Sequence, residues 1–199
     1  MSGGSIIVLA ILVFAGVTIF KGVRIVPQGY KWIVQRLGKY HGTLTPGLNF
    51  VIPYVDEVAY KVTTKDIVMD IPSQEVITRD NAVLLMNAMA YINITTPEKA
   101  VYGIENYTWA IQNLVQTSLR SIVGEMDLDD ALSSRDHIKA KLKAAISDDI
   151  SDWGITLKTV EIQDIQPSST MQSAMEAQAA AERQRRATVT KADGETQAA

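Results

Sequence analysis

An uncharged, almost wholly apolar run ahead of Lys21 constrains this chain more than any other feature. Ile6, Ile7, Val8, Leu9, Ile11, Leu12, Val13, Phe14, Val17, Ile19 and Phe20 supply its large side chains. A helix of about twenty residues reaches roughly 30 Å, the thickness of a hydrocarbon core. Transfer of these side chains into lipid is worth no more than about −3 to −6 kcal/mol in sum. The run therefore predicts a single transmembrane helix within residues 1–24. A secretory signal needs a basic region before the apolar run and a small-residue cleavage site after it, and Phe20-Lys21-Gly22-Val23 offers none. The stretch is too short to enter and leave by one leaflet, so one span is expected rather than a hairpin.

Lys21, Arg24, Lys31, Arg36 and Lys39 follow, with no acidic residue before Asp56. By the positive-inside rule the N-terminus lies outside and the body is cytoplasmic. Lys21 and Arg24 are expected at lipid headgroups, at about 1 kcal/mol per cation near the surface. Cysteine is absent, which removes disulfides, thiolate metal sites and palmitoylation and suits a reducing compartment. The 19 basic and 22 acidic side chains sum to −3, and every acidic one lies beyond the basic collar, so no nucleic-acid partner is expected.

Strand patterns fill Val26 to Ile94. Tyr30, Trp32 and Val34 alternate with more polar neighbours until Gly38, and Thr45-Pro46-Gly47 is a turn before Leu48 to Ile52. Val58–Thr63 and Ile67–Ile71 read as short strands, the second ended by Pro72. Arg79-Asp80-Asn81 is the turn of a hairpin whose second strand puts Leu84, Met86, Ala88, Ala90, Ile92 and Ile94 on one face and Asn87, Tyr91 and Asn93 on the other. A helix starts at Thr96-Pro97. A second, from about Tyr107 to Val123, carries a stripe through Ile111, Val115, Leu119 and Ile122. A third, about Arg135 to Trp153, buries Ile138, Leu142, Ala145, Ile146 and Ile150 and is capped by Gly154. Ile155–Ile165 is a last strand. The order predicts an α+β domain over 25–166, a mainly antiparallel sheet with helices on one side.

Beyond Pro167, Ser169-Thr170-Met171-Gln172 resembles a capping box, and residues 167–199 are rich in Ala, Gln, Glu and Arg. They favour helix but hold almost no large apolar side chain for packing on their own domain. Such a helix is either a frayed tail or an assembly helix of coiled-coil type whose small residues let identical neighbours approach closely. The second is the better reading. Ala174, Ala177, Ala181, Glu182 and Arg186 are the expected contacts between copies. The pattern is still running at Ala198-Ala199, which implies a trimmed chain or a continuation.

Candidate chemistry is thin. His41 and His137 lack a second His or Glu at metal-binding spacing, so no metal or other cofactor is expected. Ser133-Ser134-Arg135-Asp136-His137 holds triad residue types, but without a nucleophile elbow it reads as helix capping by Ser133 or Ser134. Asp127, Asp129 and Asp130 suit a helix start and lack the Gly and terminal Glu of a calcium loop. Asn93-Ile94-Thr95 and Asn106-Tyr107-Thr108 match glycosylation sequons that carry no weight in a cytoplasmic domain. No enzyme is expected. The rival reading, a membrane protease or protease subunit, rests only on Ser134 and His137.

Several segments in one order resemble the stomatin/prohibitin/flotillin (SPFH, or band 7) superfamily, most nearly its bacterial stomatin-like branch of QmcA type. They are Val26-Pro27-Gln28-Gly29, Arg36-Leu37-Gly38, Pro46-Gly47-Leu48, Asp70-Ile71-Pro72-Ser73-Gln74-Glu75-Val76 and Thr78-Arg79-Asp80-Asn81. Leu128-Asp129-Asp130-Ala131-Leu132, Trp153-Gly154-Ile155, Glu161-Ile162-Gln163-Asp164-Ile165, Met175-Glu176-Ala177-Gln178 and Ala181-Glu182-Arg183 complete the set. The resemblance implies a non-enzymatic membrane scaffold, a large homo-oligomer of ring or cage form that organises membrane microdomains. It also implies possible partners in a membrane-bound AAA protease and a small OB-domain membrane protein, in a bacterial inner membrane. The proline-bearing hairpin anchor and acylated cysteines of animal stomatin are absent. A third reading is a monomeric lipid-binding adaptor.

Overall fold

A computed structural model describes the backbone of residues 3–197. The elements run α1 (Gly3–Gly22), β1 (Val23–Val26), β2 (Tyr30–Arg36), β3 (Lys39–Leu44), β4 (Gly47–Phe50), β5 (Asp56–Thr63), β6 (Ile67–Ile77) and β7 (Val83–Ile94). Then come α2 (Pro97–Tyr102), α3 (Tyr107–Gly124), α4 (Leu128–Ser133), α5 (Arg135–Asp152), β8 (Ile155–Pro167) and α6 (Ser169–Gln197). This is the α+β class, but the strands form three small sheets rather than one: β1-β4, β3-β2-β5 and β6-β7-β8. The chain passes between the first two sheets at Pro27-Gln28-Gly29, Thr45-Pro46 and the loop around Pro53, and into the third at Thr64-Lys65-Asp66.

Helix α1 covers the expected apolar run. Among the described residues no helix is long and apolar enough to cross a membrane. Ile6, Ile7, Val8 and Phe14 lie outside the described side chains. The expected membrane span is therefore not shown.

The chain divides into two compact units. The first comprises residues 1–69, 91–111 and 147–159. In it β2 pairs antiparallel with β3 and β5, and the register against β5 shifts between Ile33 and Val34. That bulge changes the expected alternation: Ile33 and Val34 are both buried, although strict period two would turn one outward. The hairpin from β2 to β3 turns through Leu37 and Gly38, both at positive φ (49° and 81°), the backbone of a type I′ turn. His41, expected in a loop, is an exposed residue of β3. Tyr102 of α2 meets Tyr40 and Tyr60 edge-on at 6.0 and 5.9 Å, and its hydroxyl accepts from Gln35 Nε2 at 2.8 Å. The Asn93 amide donates to Thr64 O and Asp66 Oδ1, so the first sequon asparagine belongs to the fold. Asn106, of the second sequon, accepts from Trp109 N–H and caps α3.

The second unit comprises residues 70–90, 112–146 and 160–199. Leu84, Met86, Ala88 and Ala90 of β7 are fully buried, as the alternation predicts, with Val115, Leu119, Ile138, Leu142 and Ile146. Ala145 is exposed, contrary to expectation. The buried row of α5 follows i, i+4 spacing, which drifts around the helix, and Ala145 stands about 80° from its mean direction. Pro72 does not end β6, because β6 lies at the edge of its sheet, where alternate N–H groups have no ladder partner and proline is tolerated. The β6–β7 turn is latched to the start of α4. Arg79 forms a fork with Asp127, Arg79 N–H donates to Met126 O at 2.9 Å, and Leu128 N–H donates to Asp80. Asp80 thus caps α4 from 48 residues away, while Asp127 makes no side-chain cap bond of its own. The Thr78 hydroxyl, 2.5 Å from Asp80 Oδ1, holds that carboxyl below its usual range, aided by the Leu128 N–H.

Of the two serines expected to cap α5, Ser134 stands at the N-cap position, its carbonyl closing the first turn, while the Ser133 hydroxyl donates back to Asp129 O. The cap of α6 lies one residue before the expected box: Ser168 Oγ accepts from Met171 N–H at 3.3 Å.

Gly154, after α5, sits at φ +71°, and a Cβ there would lie 2.5 Å from Thr96 O. Thr95 and Thr96 N–H both donate to its carbonyl. Gly154→Ala is expected to destabilise the chain by about 1–3 kcal/mol, read as a lower urea midpoint with unchanged slope.

Candidate functional site

The C-terminal end of α1 runs straight into β1, which pairs antiparallel with β4 so that Ile25 opposes Leu48 and Val23 opposes Phe50. Gly22 allows a close approach there. A Cβ at that position would lie 2.7 Å from Val51 O and 3.1 Å from the Phe50 ring, and Val51 N–H donates to Gly22 O at 2.9 Å. The end of α1 and this small ladder carry large side chains into solvent: Phe20 is 87 % exposed, Leu48 76 % and Ile25 70 %. Phe50, Ile52 and Tyr54 continue the exposed apolar surface. Leu37 N–H bonds Val55 O, bringing the β2–β3 turn to the same rim. Leu37 and Tyr54 are both exposed and both held at positive φ, an unfavourable backbone for bulky residues. Strain of this kind gathers at functional sites.

Polar groups organise the rim. Lys21 Nζ stands 5.6 Å from the centre of the Tyr54 ring. Arg24 is exposed beside the ladder. Arg36 does not join the expected basic collar, because it forks onto Asp56 at 2.6 and 3.0 Å. Lys31 reaches the Thr95 carbonyl at 3.4 Å. The Asp56 side chain is 4 % exposed and also accepts from Ile52 N–H at 2.8 Å. The Arg36 guanidinium beside it, with the Ile52 N–H, lowers the Asp56 pKa to about 2.

Between α1, β1 and β5 lies a half-open cavity of about 790 Å³. Phe20, Val23, Trp32 and Val58 give it apolar walls, and Arg24 and Lys61 give it cations. Lys61 Nζ stacks over Trp32 at 4.7 Å. Sequence reading missed both the cavity and the Asp56 anchor. The signals were an acidic residue ending a long basic stretch, and Trp32 two places along the strand from Tyr30.

The expected anchor side chains Leu9, Ile11, Leu12, Val13, Val17, Ile19 and Phe20 are all exposed on α1. Ala174, Ala177, Ala181, Glu182 and Arg186 are exposed on α6. Arg186 bonds Glu182 at 2.6 Å within the same helix, an i, i+4 pair. Among the described residues no cluster of His, Cys, Asp and Glu could hold a metal ion. His137 is exposed, and its backbone N–H donates to Ser134 O.

An apolar helix, an exposed apolar rim and a solvent-facing Ala-rich helix are the main surfaces these residues present. The SPFH domain / Band 7 family matches residues 24–196, and the chain belongs to that family. It is 41 % identical to a stomatin homolog of Pyrococcus horikoshii over 195 residues, 98 % of this chain and 71 % of that one. An uncharacterized protein of Methanocaldococcus jannaschii is 41 % identical over 177 residues, covering 89 % and 88 %. A Mycobacterium tuberculosis protein is 35 % identical over 191 residues, and the chain spans about half of its length (50 %). Relatives thus come from archaea and bacteria alike, which gives the expected bacterial origin no support.

Asp56 ties stability to acidity. Its folded pKa of about 2 lies below the ordinary 3.8, so its contribution is complete above about pH 4 and is lost as pH falls towards 2. Urea midpoints are expected to drop across that window in the wild type. Asp56→Asn should be less stable at pH 7 and show a shallower drop between pH 4 and 2.

Proposed function

We propose that the chain is a membrane-anchored scaffold that assembles with identical copies into a large ring or cage. Family membership supports a membrane-associated scaffold role in broad terms. The observation that carries the finer reading is α1 with the rim that continues it. Its described large side chains are exposed, and a helix apolar on all sides needs an apolar medium. In the proposed arrangement α1 crosses the bilayer with the N-terminus outside and the body cytoplasmic. The rim from Ile25 to Tyr54 rests at the lipid boundary, and Lys21 and Arg24 meet headgroups. Helix α6 packs against α6 of neighbouring copies through Ala174, Ala177 and Ala181. The work done is physical partitioning, not catalysis: a closed wall limits lateral diffusion and retains client proteins. Confinement of a membrane-bound AAA protease, with a small OB-domain membrane protein as companion, belongs to the same proposal.

Mild extraction followed by mass photometry and negative-stain imaging tests assembly, and flotation with vesicles tests attachment. Wild type is expected to float and to give uniform particles of many subunits. Ala177→Glu with Ala181→Glu should still float but fall to monomers or small oligomers. A monomeric wild type that floats would favour the lipid-binding adaptor, and one that neither floats nor assembles would remove the proposal.

A further inference from the structure

We infer that the cavity between α1, β1 and β5 is a seat for a single membrane phospholipid, its phosphate held by Arg24 and Lys61 and an acyl chain lying on Phe20, Val23, Trp32 and Val58. The inference rests on the membrane reading above and adds a defined lipid site to it. At about 790 Å³ the cavity falls within the range of small-molecule sites, and its lining is the expected mixture of apolar walls with a few charged groups. Four features select a phospholipid over a soluble ligand.

Phe20 belongs both to the exposed apolar surface of α1 and to the cavity wall, so the apolar path from helix to cavity is unbroken. The cavity is half open, which lets chains leave along α1 while a headgroup stays inside. Its charges also match. Asp56 and Glu57 line it, but Asp56 is already engaged by Arg36 and by Ile52 N–H, so Arg24 and Lys61 outweigh Glu57 and leave a net attraction for one phosphate. Lastly, Lys61 is held in place by its stack on Trp32, a cation presented from a fixed position rather than on a free stem.

Trp32 itself reports the outcome. In the full chain carrying Trp109→Phe and Trp153→Phe, held in mild detergent, Trp32 is the remaining tryptophan. Titration with phosphatidylglycerol bearing brominated acyl chains is expected to quench it saturably, at about one lipid per chain. Lys61→Gln and Arg24→Gln, both at exposed positions, should each need about fivefold more lipid, equivalent to the loss of one cation near a lipid surface. Val58→Phe should weaken the saturable phase by crowding one wall of the cavity, with flotation unchanged. Unsaturable quenching, or equal titrations in wild type, Lys61→Gln and Val58→Phe, overturns the lipid seat. Protection of Trp32 by glycerol phosphate with no quenching by brominated lipid also overturns it, in favour of a soluble phosphate ester. Flotation of the wild type separates the two readings. If the protein floats and Trp32 is not quenched, the seat alone fails, whereas a wild type that does not float removes the membrane reading on which the seat rests.

Discussion

Asp56 is nearly sealed from water, and the α1 end of the first unit depends on what it holds. Its carboxylate takes the Arg36 guanidinium as a two-point fork and the Ile52 N–H as a third bond, while its own N–H returns to Ile52 O. A charged acceptor met by a planar donor fixes direction as well as distance. Those bonds close the 52–56 loop around Pro53 and present Ile52, Tyr54 and Val55 at the rim. They also place one wall of the cavity and remove a positive charge from the basic collar. A buried carboxylate left without these donors would carry a desolvation cost that nothing else there offsets.

The two units handle apolar surface differently. In the second, the alternating face of β7 and the row along α5 are buried within the domain. In the first, core residues such as Ile33, Val34 and Val62 coexist with Phe20, Ile25, Leu48 and Phe50, whose large side chains face solvent. Contiguous exposed apolar surface of this kind marks an interaction site. Here it continues an apolar helix and carries cations at its edge. Helix α6 poses the complementary problem. Its small residues bury little on their own domain, so its stability as a long helix draws on i, i+4 pairs such as Glu182–Arg186 and on whatever packs beside it.

Much of the fold was legible in the sequence because it rests on local periodicity. The buried face from Leu84 to Ile94, the start of α3 at Tyr107, and the glycine after α5 follow from spacing and from backbone preference at single positions. The misreadings share a cause. Pro72 reads as a stop unless its strand is known to lie at a sheet edge, and Tyr30, Trp32 and Val34 read as one face unless the bulge at Ile33/Val34 is known. Ser168 and Asp80 cap their helices from places that local rules did not single out, the second across 48 residues of chain.

The sequence by itself determined the apolar N-terminal run, the α+β order of elements, the absence of thiol chemistry and the family, since each is written in residue type and short-range spacing. Tertiary structure alone decided that Arg36 is matched to Asp56 while Lys21 and Arg24 stand at an exposed apolar rim. It likewise decided that Trp32, Lys61 and Phe20 line one cavity. Those outcomes depend on which strands pair and in what register, and pairing between distant segments is settled by the packing of the whole unit, not by any window of its sequence.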